Sequence, residues 1–180
     1  PDFFIGNGDN VYYDQPRENA ATVPEEMRKH WHRLFHMDNF QALLSQVPVF
    51  WLKDDHDHRY NDSDTLLFNE NGVKRLPDNQ TGIKLFLEQA PFSMKDANEA
   101  LPYRTYRLNQ DLQLWFVEGR DYRSPNHLPD GPGKTIWGKE QKEWLKKGLK
   151  ESTARYKILV SPTPLVGPDD SYKKDNHTNP

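Results

Sequence analysis

Short apolar runs separated by long polar stretches limit what this chain can fold into. The runs lie at residues 3–5, 47–52, 112–117 and 156–160. Each run is shorter than a typical helix and rich in aromatic or β-branched residues, so each predicts a buried strand. A further run at residues 103–108 is joined to the third by Asn109-Gln110-Asp111 and predicts an antiparallel hairpin.

Helical patterns fall between these strands. They predict helices over residues 24–35, 39–45, 82–88 and 138–149. Strands that alternate with helices indicate an α/β fold in which a sheet is covered on both sides. The longest connections, residues 53–80 and 120–137, each follow a strand end directly. Because sites in open α/β sheets lie beyond the carboxyl ends of the strands, we expect function there.

Composition excludes several classes of function. The 180 residues suffice for one hydrophobic core, and a net charge of −3 argues against binding nucleic acid over a broad face. The longest apolar run, residues 47–52, is too short to predict a membrane span. The absence of cysteine excludes disulfides and thiolate sites. Because the chain opens on an apolar run without Met, we expect it to be an interior part of a longer protein.

The first predicted strand leads into Gly6-Asn7-Gly8-Asp9. Glycines let the backbone turn sharply, so that Asp9 can face a cation at the edge of the sheet. An ordinary Gly-Asp turn is the alternative. Tyr12 is either a phenolate ligand of a strongly Lewis-acidic metal or an aromatic side chain packed under the loop.

The segment after the second strand, residues 54–64, concentrates acidic and imidazole groups. They are Asp54, Asp55, His56, Asp57, His58, Asp62 and Asp64. So many carboxylates side by side require a neutralising cation or full solvation. If a cation neutralises them, one Asp would be an oxygen ligand of that cation and the adjacent His would be a general acid. Two alternatives stay open: a solvated acidic loop, and a non-catalytic module with a structural calcium site.

The predicted strand at residues 112–117 ends by delivering Arg120 and Arg123 to the same edge. The planar guanidinium group matches phosphate oxygens and can stabilise charge that develops in a transition state. Both residues are therefore candidates for phosphate contact. A surface salt bridge is the alternative for each.

Four motifs in this order resemble the PhoD-type alkaline phosphatases, a branch of the calcineurin-like metallophosphoesterases. Residues 8–12 (GDNVY) are similar to the family's GD-x-x-Y. Residues 51–57 (WLKDDHD), with Asn61-Asp62, are similar to its W-D-D-H-[DE] and N-[DN]. Residues 118–123 (EGRDYR) are similar to D-x-R-x-Y-R, and residues 138–152 are similar to G-x-x-Q-x-x-W-L. Two positions depart from the pattern, because Glu118 stands where the family commonly has Asp and Lys53 precedes the acidic pair.

The resemblance implies a layered sandwich of mixed β-sheets flanked by helices. Residues 1–180 would form one partial domain, with further strands expected before and after them. The family's first Asp ligand and its late histidine motif would lie in those outer parts. We therefore expect the isolated chain to bind metal weakly and to turn over little substrate.

The resemblance also implies an activity, the hydrolysis of small-molecule phosphate mono- and diesters assisted by two metal ions. The ions would be iron, calcium or other divalent cations. Asp9 would be shared between both ions, Tyr12 would bind the more Lewis-acidic ion, and Asp55 would bind the other. His56 would protonate the leaving oxygen, and Arg120, with Arg123, would contact the phosphate. Family members are typically extracellular or periplasmic, which is the expectation here.

Overall fold

The computed structural model describes residues 1–69, 71–90, 101–166 and 175–177. Within these ranges the chain forms five strands, four α-helices and one short 3-10 helix. In chain order they are β1 (Phe4–Asn7), the 3-10 helix (Arg17–Asn19), α1 (Pro24–Phe35), α2 (Asp38–Leu44), β2 (Val49–Leu52), α3 (Asn79–Gln89), β3 (Arg104–Arg107), β4 (Leu112–Phe116), α4 (Gly138–Glu151) and β5 (Tyr156–Val160).

The five predicted strands and four predicted helices are all present. α1 and β5 have the predicted bounds, and the others have shifted ends. The largest shift is at α3, which begins at Asn79 and not at Gly82. Asp78 caps this helix, because its side chain accepts a hydrogen bond from the backbone N–H of Thr81 at 2.8 Å. Gly82 lies inside the helix, where a Cβ atom would approach the carbonyl oxygen of His58 to 2.3 Å. This glycine therefore allows a close helix–loop contact and does not mark a helix start.

The strands form two sheets, whereas the alternation of strands and helices predicted one. β1 pairs with β2 in parallel. In the other sheet β4 is central, antiparallel to β3 and parallel to β5. The two sheets pack face to face, with Phe50 of β2 in ring contact with Tyr106 at 4.9 Å and Phe116 at 5.3 Å. This confirms a layered arrangement of mixed sheets.

Helices cover the outer faces of both sheets. On the β1–β2 side, Trp31 of α1 and Phe86 of α3 belong to the same buried cluster as Trp51 of β2. On the other side, Leu145 of α4 packs against Trp115 of β4. Aromatic side chains bury large areas, so these contacts supply much of the packing energy of each interface. Among the described residues, none of the helices has the length and apolar character of a membrane-spanning segment.

The carboxyl ends of the parallel strands meet at one edge. The backbone N–H of Gly8, just after β1, donates to the carbonyl oxygen of Leu52 at the end of β2, at 3.1 Å. The side chain of Asn7 donates to the carbonyl oxygen of Ser161, just after β5, at 3.1 Å. The segments that follow β1, β2 and β5 are therefore neighbours, as expected for the site edge of an α/β fold.

Candidate metal centre

The turn after β1 places Asp9 beside the loop after β2. Gly8 and Asp9 both have positive φ angles, of 91° and 51°. A Cβ atom at Gly8 would lie 2.7 Å from the Cβ of Asp54, so only glycine fits between the two loops. Because the turn is so tight, the Asp9 carboxyl group comes to lie next to the acidic segment at residues 54–64.

The acidic segment is folded inward. Asp55 and Asp57 are 6% and 0% exposed, and His58 is fully buried. The carboxylate of Asp57 accepts hydrogen bonds from the backbone N–H of Asp54 at 2.5 Å and from the side chain of Asn10 at 2.6 Å. Burial nevertheless raises the pKa of Asp57 to about 7. The interpretation of this segment as a solvated acidic loop is therefore wrong.

Four of the predicted site residues come together at this edge. Ligand atoms of Asp9, Asp55 and His56 lie within 4.8 Å of one another. The hydroxyl of Tyr12 donates to Oδ2 of Asp9 at 3.1 Å, and its ring stacks on His56 with 4.2 Å between ring centroids. Burial, and then the charge of Asp55, raise the pKa of Asp9. Burial and the neighbouring Asp9 raise the pKa of Tyr12 to about 12.

This arrangement fits a bound cation. Oδ1 of Asp9 is buried and has no hydrogen-bond partner among the residues that the structure describes. An unpaired buried carboxylate oxygen is unfavourable, and a cation would satisfy it. Carboxylate and phenol oxygens suit hard cations, and an imidazole nitrogen extends the range to first-row transition metals. The donors of Asp9, Tyr12, Asp55 and His56 are thus chemically suited to a metal centre.

The Asp55 carboxylate is held by the backbone around it. Its Oδ1 accepts from the backbone N–H of His56 at 2.9 Å, and its Oδ2 accepts from the N–H of Asp62 at 2.5 Å. Asp62 adopts a positive φ of 53° at this contact. The segment therefore curls around Asp55 and fixes the direction of its carboxyl group.

Asp14 orients His56 and was not predicted as a site residue. Its Oδ1 lies 2.7 Å from Nδ1 of His56, and its Oδ2 accepts from the backbone N–H of Asn61 at 2.9 Å. Burial by itself lowers the pKa of His56, but the bond to Asp14 and the charges of Asp55, Asp14 and Asp9 outweigh burial and raise it. The only signal in the sequence was that Asp14 follows the Gly8-to-Tyr12 motif closely.

The two predicted phosphate-binding arginines lie in the interior. Arg120 and Arg123 are 0% and 2% exposed. Arg120 is ion-paired with Asp54 at 2.5 Å and with Asp175 at 2.6 Å, while Arg123 is paired with Asp175 at 2.5 Å. Because both arginines are buried, neither of them forms the surface salt bridge that was the alternative interpretation. The predicted phosphate contacts stay predictions, and the geometry favours a role in organising the loops.

A second group of carboxylates adjoins the first. Ligand atoms of Asp55, Asp62 and Asp175 also lie within 4.8 Å of one another. Asp55 belongs to both groups, so the two lie side by side. Asp175 comes from the far end of the chain and was not among the predicted site residues.

A family of known proteins matches nearly the whole chain. The model of the family described as PhoD-like phosphatase matches residues 1–179. The chain belongs to the PhoD-like phosphatase family. A search of curated proteins gives no match.

A solved structure, "Structure of PhoD", shares the fold. It superimposes with a TM-score of 0.70 and 20% sequence identity, over 88% of this chain and 35% of that chain. At this identity the likeness shows the fold alone. The PhoD-like chain described here thus spans about a third of the length of that PhoD chain, 35%.

Proposed function

We propose that this chain is part of a metal-dependent phosphoric ester hydrolase that acts on small-molecule phosphate mono- or diesters. The observation that carries the proposal is the convergence of Asp9, Asp55 and His56 within 4.8 Å at the ends of two paired strands. Membership of the PhoD-like phosphatase family supports the same reaction class.

In this proposal the metal ligands are Asp9, Tyr12 and Asp55, with Asp9 shared between two cations. The cations are iron, calcium or other divalent ions. When bound, such ions supply Lewis-acid polarisation of the phosphoryl oxygens and lower the pKa of a water nucleophile. The contribution of the chain is to hold these oxygens at fixed positions at a partly buried edge of the sheet, where Asp55 is buried and Tyr12 is exposed.

His56 is the proposed general acid. Its Nδ1 is committed to Asp14 at 2.7 Å, which fixes the ring and leaves Nε2 to carry the transferable proton. Burial lowers the pKa of His56, but the hydrogen bond with Asp14 raises it and so favours the protonated form that a general acid needs. A protonated imidazole can then donate to the oxygen of the departing alcohol or phenol.

The activity and its setting are proposed for a longer protein. Because the chain spans 35% of the PhoD chain, further ligands can come from outside residues 1–180. We propose that the isolated chain binds metal weakly and turns over little substrate, that it forms one partial domain, and that the whole protein works in an extracellular or periplasmic compartment.

The test is a hydrolysis assay on the full-length protein that contains this chain, loaded with Mn²⁺ or with iron and calcium. The substrates are p-nitrophenyl phosphate and bis-p-nitrophenyl phosphate. We expect His56→Ala to lower kcat about 10² to 10⁴-fold, the usual contribution of a general acid. We expect Asp9→Asn to abolish hydrolysis together with metal binding. The matched controls, His32→Ala and Asp38→Asn, change exposed helical residues and should leave both unchanged.

Two results would contradict the proposal. If Asp9→Asn and His56→Ala hydrolyse both esters as well as the wild type, the catalytic assignment is wrong. If calcium stabilises the fold but neither ester is ever cleaved, the alternative of a non-catalytic calcium-binding module is supported instead.

A further inference from the structure

The donors of the Arg120 guanidinium are directed at protein partners and away from solvent. Nε donates to Oδ1 of Asp54 at 2.6 Å, and Nη2 lies 2.5 Å from the same oxygen. Nη1 and Nη2 donate to the two oxygens of Asp175 at 3.1 and 2.6 Å. Nη1 also donates to the carbonyl oxygen of Ser63 at 3.1 Å. This planar group therefore joins three separate points of the chain at once.

These three points surround the second group of carboxylates. Asp54 precedes Asp55, Ser63 follows Asp62, and Asp175 is itself the third member of that group. Arg120 thus holds both ends of the segment that curls around Asp55, and it holds Asp175 beside that segment. Arg123 adds a second cation on Asp175, at 2.5 Å.

We propose that Arg120 is a positioning residue for the metal centre, which holds the Asp54–Ser63 segment and Asp175 together so that Asp55 keeps the orientation needed to bind a cation. This inference rests on the proposed function, because it assumes that Asp55 is a metal ligand. It assigns Arg120 a role that needs no contact with the phosphate group.

Shape and charge both make arginine the fitting residue. The rigid guanidinium fork reaches Asp54, Asp175 and the Ser63 carbonyl simultaneously, which the single ammonium group of lysine cannot do. Its positive charge also offsets the mutual repulsion of the Asp54 and Asp175 carboxylates, with which it is paired at 2.5 and 2.6 Å.

The experiment measures Mn²⁺ binding to the full-length protein that contains this chain by electron paramagnetic resonance, at a temperature at which circular dichroism shows every variant to be folded. Arg120→Lys keeps the charge and removes the fork, whereas Arg120→Gln removes both. Arg104→Lys is the matched control, since Arg104 is a half-buried arginine that donates to the carbonyl oxygens of Trp51 and Pro102.

We expect Arg120→Lys to weaken Mn²⁺ binding about 10 to 100-fold, as is typical when a residue that supports a metal ligand is changed. Arg120→Gln should weaken it at least as much, and Arg104→Lys should leave it at the wild-type value. Asp175→Asn by itself should also weaken Mn²⁺ binding. Combined with Arg120→Lys, it should cause little further loss of affinity, because both substitutions break the same link.

A purely structural role would lower the melting temperature of Arg120→Lys and leave its Mn²⁺ affinity unchanged, and that result would overturn the inference. Tighter Mn²⁺ binding by Arg120→Gln, with unchanged binding by Arg120→Lys, would also overturn it, because Arg120 would then act only by charge repulsion.

Asp9→Asn separates the two proposals. If Asp9→Asn abolishes binding while Arg120→Lys leaves the Mn²⁺ affinity unchanged, the metal centre stands and the inference fails. If Asp9→Asn binds like the wild type, or the wild type binds no Mn²⁺, the metal centre itself is wrong and the inference falls with it.

Discussion

At the scale of single residues, Gly8 shows how one missing side chain creates the candidate site. Its φ of 91° is unfavourable for any residue with a Cβ atom, and that atom would lie 2.7 Å from Cβ of Asp54. The approach of the two loops brings Asp9 to Asp55. Neither effect depends on the bound cation, so both can be tested on the protein without metal.

We predict that Gly8→Ala destabilises the chain by about 1 to 3 kcal/mol, because the substitution adds backbone strain and a clash. The free energy of unfolding is measured by urea denaturation. Gly131→Ala is the control, since no heavy atom of the described part of the chain lies within 4 Å of the added Cβ and the φ of Gly131 is ordinary. The control should stay within about 0.5 kcal/mol of the wild type. Equal stability of the two variants would refute the tight-turn argument.

At the scale of secondary-structure elements, a bidentate ion pair joins α1 to α3. Nε and Nη2 of Arg28 donate to the two carboxylate oxygens of Glu88 at 2.6 and 2.8 Å. The hydrogen bond from Arg28 lowers the pKa of Glu88 below its ordinary value of 4.5. The folded state therefore favours the charged form of Glu88 more than the unfolded state does. As a result the ion pair stabilises the fold at a pH above about 4.5, and this stabilisation is lost as the pH falls through the lowered pKa.

We predict that Glu88→Gln lowers the melting temperature modestly at pH 7, and that the difference from the wild type shrinks as the pH falls below about 4.5. Added salt should also reduce the difference, because the pair is solvent-accessible. Glu151→Gln, which changes an exposed residue at the end of α4, is the control and should show no such pH-dependent difference. A Glu88→Gln effect that is constant from pH 7 to pH 3 would contradict the ion-pair explanation.

At the scale of the whole molecule, a buried charge network joins the two sheets. Lys53 follows β2 and is 2% exposed, and its Nζ lies 2.6 Å from Glu118 and 2.7 Å from Asp121, both of which follow β4. Lys53 and Glu118 are the two departures from the family pattern, and the structure shows that they pair with each other. Burial by itself lowers the pKa of Lys53, but the charges of Asp121 and Glu118 outweigh burial and raise it.

We predict that Lys53→Met destabilises the chain by about 3 to 5 kcal/mol, because it leaves two buried carboxylates without their cation. The double variant Lys53→Met/Glu118→Gln should be more stable than Lys53→Met, since one uncompensated charge is gone. Urea denaturation measures both. Lys150→Met, at an exposed position of α4, is the control. If the double variant is less stable than Lys53→Met, the network does not act as an ion pair.

Local pattern determined the elements and much of the candidate site. The periodicity of apolar residues identified five strands and four helices within a few residues of their observed bounds. It also placed Asp9, Tyr12, Asp55 and His56 just beyond strand ends, where the fold brings them together. Strand ends can be recognised from neighbouring residues alone, because the side-chain pattern of a strand is a short-range property.

Only the tertiary structure decided what each polar group contacts. Packing between distant segments decided the division into two sheets. It also decided the bond of Asp14 to His56, 42 residues away, and the bond of Arg120 to Asp175, 55 residues away. The same packing buried Arg120 and Arg123, which the sequence offered as phosphate ligands at the edge of a sheet. Burial and pairing arise when whole layers stack on one another, so no short window of sequence contains them.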